Sequence, residues 1–145
     1  MMQLSLAIPM IPVAKQRARA VRRGDGGIGS YTPAKTVNAE KMVRDSWLEL
    51  HGNTAASWPT LAGLRLTVAA YFPRPPSIPK KRLLPTTRPD ADNALKLCQD
   101  ALNGFAFRDD AILTDVRIKK RYTPSPPALH GGPGLIITLE VDDEH

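Results

Sequence analysis

From Leu64 to Phe72 the chain alternates: Leu64, Leu66, Val68, Ala70 and Phe72 fall on one parity, Arg65, Thr67, Ala69 and Tyr71 on the other. A period of two is that of a half-buried strand. This segment is therefore expected to be a principal strand of a sheet with one face covered. Shorter alternations at Leu4, Leu6 and Ile8 before Pro9, and at Leu135, Ile137, Leu139 and Val141, predict two more strands. A fourth is predicted where Ile112, Thr114, Val116 and Ile118 alternate with Leu113, Asp115, Arg117, Lys119 and Arg121, which gives a largely cationic second face.

Two segments carry helical spacing instead. Thr32-Pro33 reads as an N-cap followed by proline at the first helical position, where a missing N–H costs nothing. Ala39, Val43, Trp47 and Leu50, with Met42 beside them, then form an apolar stripe that ends at His51-Gly52. Further on, Asp92 or Asn93 can cap a helix whose Ala94, Cys98 and Ala101, with Leu95 and Leu102, make one face, closed by Asn103-Gly104. At 1.5 Å per residue that helix is about 18 Å long, so the following chain must fold back along it for Asp109-Asp110 to approach its start.

With 145 residues and 42% hydrophobic side chains the chain is the size of one domain with its own core. The element order predicts a single α+β domain over residues 1–145, with a mixed or antiparallel sheet packed against two main helices. A lone Cys98 rules out an internal disulfide, and no Cys/His cluster has zinc spacing. The apolar stretch Leu4 to Ala14 holds two prolines and lacks a basic leader, which argues against a secretory signal. No apolar run approaches the roughly 20 residues that span a membrane, so a cytoplasmic protein is expected.

Charge is unevenly spread. The formal net charge is +6, yet residues 1–89 carry 14 basic and 4 acidic side chains, while residues 90–145 carry 6 and 10. The cations fall in three segments: Lys15, Arg17, Arg19, Arg22 and Arg23 around a glycine-rich turn; Lys80, Lys81, Arg82 and Arg88 in a proline-rich loop; and Arg117, Lys119 and Arg121. Taken singly, each reads equally as a solvated face. Three together favour a polyanion, bound through phosphates and weakened by salt.

The carboxylates start at Asp90-Ala91-Asp92-Asn93, followed by Lys96 and, beyond a helix-sized gap, Asp109-Asp110. Mg²⁺ takes oxygen ligands, and one or two carboxylates plus phosphate and water suffice. The plain alternative is that Asp90, Asp92 and Asn93 cap a helix, Asp109-Asp110 begin a turn, and Lys96 pairs with Asp92 or Asp100 four residues away. Only one side chain can be the N-cap, however, and a second carboxylate two residues on repels the first unless a cation relieves it. Asp100 has the weakest case for metal binding.

Pro12-Val13-Ala14-Lys15-Gln16-Arg17-Ala18-Arg19, Tyr31-Thr32-Pro33-Ala34-Lys35-Thr36, Arg88-Pro89-Asp90-Ala91-Asp92-Asn93, Lys96, Asp100-Ala101-Leu102-Asn103-Gly104 and Asp109-Asp110 resemble, in order and spacing, the RusA family of Holliday junction resolvases. The resemblance implies a homodimeric, Mg²⁺-dependent endonuclease that cuts two strands of a four-way DNA junction symmetrically. It implies that Asp90, Asp92 and Asp110 are the catalytic, metal-holding carboxylates and Lys96 the catalytic lysine, with Asp109 a lesser contributor. Two departures are Ala94, where the family often has a larger apolar residue, and Ile112, where it often has Gln. The alternatives are a less selective nuclease for flaps or other branched DNA, and a basic DNA-binding module whose acids only cap and turn.

Overall fold

The computed structural model describes residues 2–15, 19–31, 33–123 and 132–143. Strand β1 (Gln3–Pro9) is followed by a hairpin of β2 (Arg19–Arg22) and β3 (Ile28–Tyr31), helix α1 (Ala34–His51), strand β4 (Gly63–Phe72), helix α2 (Ala91–Leu102), a short 3₁₀ turn (Asp110–Ile112), and strands β5 (Leu113–Tyr122) and β6 (Gly134–Asp142). Four strands form one sheet in the order β1-β6-β4-β5, and β2 with β3 forms a separate two-stranded ladder. β4 and β5 are parallel while the other pairings are antiparallel, so the sheet is mixed and the architecture α+β. The crossover between the parallel strands runs through α2, as a parallel pair requires a long connection.

The alternation in β4 is realised as expected. Leu64, Leu66, Val68, Ala70 and Phe72 join Leu6, Ile8, Leu135, Ile137 and Leu139 in the main core, against Val43 and Trp47 of α1 and Leu97, Cys98, Ala101 and Leu102 of α2. Both helices thus pack on one face. The opposite face carries a small cluster of Ala69, Tyr71 and Ile136, and a charged one in which Arg65 reaches Asp115 at 2.7 Å, Glu140 at 3.3 Å and Asp142 at 3.6 Å. Arg117 and then Arg65 hold the Asp115 carboxyl below its usual range.

Three expectations need correction. Thr32 lies outside the described residues, and Pro33 occupies the N-cap position of α1 rather than its first turn. Met42 and Leu50 are exposed; the buried stripe of α1 is Thr36, Ala39, Val43 and Trp47. In β5 the register slips between Leu113, opposite Leu64, and Asp115, opposite Arg65, so Thr114 is an extra residue. Leu113, not Thr114, therefore shares the core face with Val116 and Ile118, because paired residues lie on the same side of a sheet. Gly63 is packed so closely on Thr114 that a Cβ there would lie 2.4 Å from the hydroxyl oxygen.

A loop without strand or helix signals sets the chain reversal after α2. Thr54 accepts a bond from Trp47 Nε1 (3.1 Å) and donates to the Ala106 carbonyl (2.8 Å), which also accepts from Trp58 Nε1 (2.8 Å). The Thr54 amide donates to the Phe105 carbonyl (2.8 Å). Gly104 takes a φ of 84°, a left-handed conformation that glycine adopts without strain. The chain turns there and returns alongside α2, as the approach of Asp109-Asp110 requires.

Candidate active site and nucleic-acid interface

α2 opens with Asp90 extended at the N-cap position and Asp92 in the first turn. Asp90 makes no side-chain capping bond, and among the described residues neither carboxylate has a hydrogen bond or ion pair with the protein. The capping explanation for these acids is thus not realised. Both are exposed, at the end of the proline-rich loop whose last peptide, Arg88–Pro89, is cis.

Residues 92, 96 and 99 fall on one face of a 3.6-residue helix, opposite the buried Ala94, Leu97, Cys98 and Ala101. Lys96 is exposed and pairs with Asp100 at 3.3 Å, not with Asp92. Gln99 Nε2 donates to Asp110 Oδ2 at 3.4 Å. Helical side chains lean toward the N-terminus, so Gln99 holds Asp110 on the face that carries Asp92, about 10 Å of helix axis earlier. Asp109 is exposed at the entry to the 3₁₀ turn.

Lys15 is placed differently from the other sequence-predicted DNA contacts. Its amide donates to the Asn93 carbonyl (3.0 Å), and its ammonium bonds Glu40 of α1 and lies 3.4 Å from Asp100 of α2. The Glu40 hydrogen bond, aided by Asp100, raises its pKa above the usual lysine value. One residue thereby ties the first and third turns of α2 to α1. Asp100 links Lys15 to Lys96, the structural role its position suggested.

The remaining cations divide by location. Arg17 lies outside the described residues, Arg19 opens β2, and Arg22 and Arg23 are exposed where the hairpin turns. Lys80, Lys81, Arg82 and Arg88 are exposed on the loop between β4 and α2, with a turn closed by Arg82 N to Pro79 O at 3.0 Å. Arg117, Lys119 and Arg121 share the parity of Asp115 and so lie on the sheet face away from α2. Sequence reasoning missed Lys120, which is on the helix side and donates to the Thr87 carbonyl at 2.7 Å. Its parity, shared with Val116 and Ile118, was legible in the sequence alternation. Gln99 and Glu40 were missed as well; a polar residue seven positions after Asp92 was the one signal for Gln99.

The donor set suits a hard divalent cation. Asp90 and Asp92 are unpaired oxygen donors, while Cys98 faces the core with its thiol pushed up to about 12 by burial. Among the described residues no three His, Cys, Asp or Glu side chains gather closely enough to hold an ion. A two-carboxylate site completed by water and phosphate fits this geometry. A three-carboxylate site requires Asp110 to come closer to Asp90 and Asp92 than it stands.

A family model described as endodeoxyribonuclease RusA matches residues 9–130. The chain is also similar to the uncharacterized protein YqaN of Bacillus subtilis (strain 168), with 30% identity over 125 residues, covering 79% of this chain and 84% of that protein.

Proposed function

Because the chain belongs to the RusA endodeoxyribonuclease family, we propose that it is a Mg²⁺-dependent, structure-specific nuclease that resolves four-way DNA junctions by paired symmetric nicks in recombination and repair. The observation that carries this reading is the pair of unpartnered carboxylates, Asp90 and Asp92, at the start of α2, with Lys96 on the same helix face as Asp92.

In this reading Asp90 and Asp92 hold the ion, which when bound activates a water and neutralises charge on the scissile phosphate. Lys96 presents a fixed positive charge to the phosphate oxygens as negative charge builds. Asp110, oriented by Gln99, would complete the carboxylate set on moving closer. The exposed Arg22 and Arg23 of the hairpin and Lys80, Lys81, Arg82 and Arg88 of the loop bind backbone phosphates, which positions DNA without reading its sequence. Arg117, Lys119 and Arg121 serve a more distant arm, since they face away from α2. A homodimer matches the two-fold symmetry of the junction and supplies two equivalent sites.

The test is cleavage of an end-labelled synthetic four-way junction, a flap and a linear duplex, with Mg²⁺ or EDTA, mapping the cut strands. Paired symmetric nicks confined to the junction and abolished by EDTA are expected. Equal cutting of flaps would replace the reading with a general branched-DNA nuclease, and binding without cleavage would reduce it to a DNA-binding module.

A further inference from the structure

A slot of about 250 Å³ opens beside the start of α2, and of its lining only Arg88 enters the proposed chemistry. The N-terminal segment contributes Ile11 and Pro12, the ends of β4 and β5 contribute Phe72 and Tyr122, and the proline-rich loop closes it through Ile78 and Pro89. Among the described residues its charged lining is Arg88 and Lys120, with no carboxylate. Lys120 Nζ lies 5.9 Å from the Phe72 ring centroid, and the Arg74 guanidinium lies 5.1 Å from that of Tyr122.

Two features narrow the occupant. The volume is below the roughly 300 Å³ at which pockets for drug-sized ligands begin, which suits a single flat ring system. The lining is apolar and aromatic with cations but no acid, which suits a base attached to a phosphate backbone better than a phosphate itself.

Position supplies the function. Thr87, Arg88 and Pro89 line the slot and run directly into Asp90. Resting on the nuclease reading above, we propose that the slot captures one unstacked nucleobase next to the scissile phosphate. Extruding a base costs least where pairing is already broken. A strand at a branch point therefore fills the slot readily, and a strand within continuous duplex does not. The slot would then select branched DNA through a base, in addition to the selection exerted by the phosphate-binding cations.

The test combines junctions bearing one abasic nucleotide, walked across the positions flanking the mapped cut, with the variant Ile78→Trp, which fills the slot. One abasic position is expected to lower kcat/KM about tenfold, the scale of losing one base–aromatic stack. Ile78→Trp should produce a similar loss on the intact junction and no further loss on the abasic one. Should Ile78→Trp misfold by circular dichroism, Thr87→Trp, at an exposed lining position, takes its place. Cleavage indifferent to every missing base, or losses that multiply between variant and abasic site, would overturn the slot while leaving the nuclease reading intact. Absence of cleavage on any junction would overturn both.

Discussion

Two groups of carboxylates stand on opposite sides of this sheet, and they are treated in opposite ways. Asp115, Glu140 and Asp142 converge on Arg65, within 2.7 to 3.6 Å. Asp90 and Asp92 form no ion pair among the described residues, the nearby Lys96 being taken by Asp100. Both groups are acids repeated at short range, and like charges brought together must be compensated. The first group is compensated within the fold, tying three strands together, so it has nothing left for a ligand. The second is uncompensated within the fold and so free to take a ligand.

The largest expected effect follows from removing one member of the uncompensated group. Asp92→Asn should lower junction cleavage by roughly 10³-fold or more, the scale of losing a metal-holding carboxylate, while thermal stability stays unchanged and junction affinity holds or rises. Quantitative cleavage, melting and gel-shift measurements check all three. Survival of cleavage at ordinary Mg²⁺ concentrations would break the contrast, because the unpaired acids would then be idle.

Lys15 sits between the two regimes, since it compensates Glu40 and Asp100 while bordering the active helix. Lys15→Met should lower kcat by about tenfold, the usual scale for a residue supporting a site it does not touch, with the salt dependence of DNA binding preserved. Loss of a direct phosphate contact would instead reduce the slope of log affinity against log salt by about 0.9. A slope change of that size without a kcat effect would return Lys15 to the DNA-binding set.

Arg65→Met sharpens the other side. It leaves Asp115, Glu140 and Asp142 facing one another, so the variant should melt at a lower temperature than the native chain near pH 7 yet cleave normally when folded. Its deficit should shrink as pH falls and Asp115 protonates. In the native chain the sign is reversed. Arg117 and Arg65 depress the Asp115 pKa, so its contribution is complete above about pH 4, the ordinary aspartate value, and is lost as pH falls through the depressed one. Denaturant melts across pH 2 to 7 should show this as the smallest of the four effects.

Local periodicity made the strands and helices legible. β4, β6 and β1 bury the parity their alternation announced, and Ala94, Cys98 and Ala101 of α2 lie on the predicted face. The glycine-rich stretch after Arg23 is the turn of a basic hairpin, as its composition suggested. Less was legible in α1, where Met42 and Leu50 satisfy the helical spacing but stand clear of the core, while Thr36 is buried in their place. Helical spacing states which residues share a face; it does not say how far the neighbouring elements extend over that face.

The order of chemistry-bearing residues along the chain also determined the candidate helix, with Asp90, Asp92 and Lys96 at its exposed start. Tertiary structure alone decided what each charge was left to do. The anchoring of the turn after Gly104 by Thr54 and Trp58 returned Asp110 to Gln99. The extra residue at Thr114 put Leu113 rather than Thr114 on the core side, and the meeting of α1 with α2 enclosed Lys15 between Glu40 and Asp100. A sequence encodes local periodicity within a few residues, where backbone geometry enforces it. The pairing of a charge depends on groups tens of residues away, and these come within reach only when the sheet has chosen its order and register.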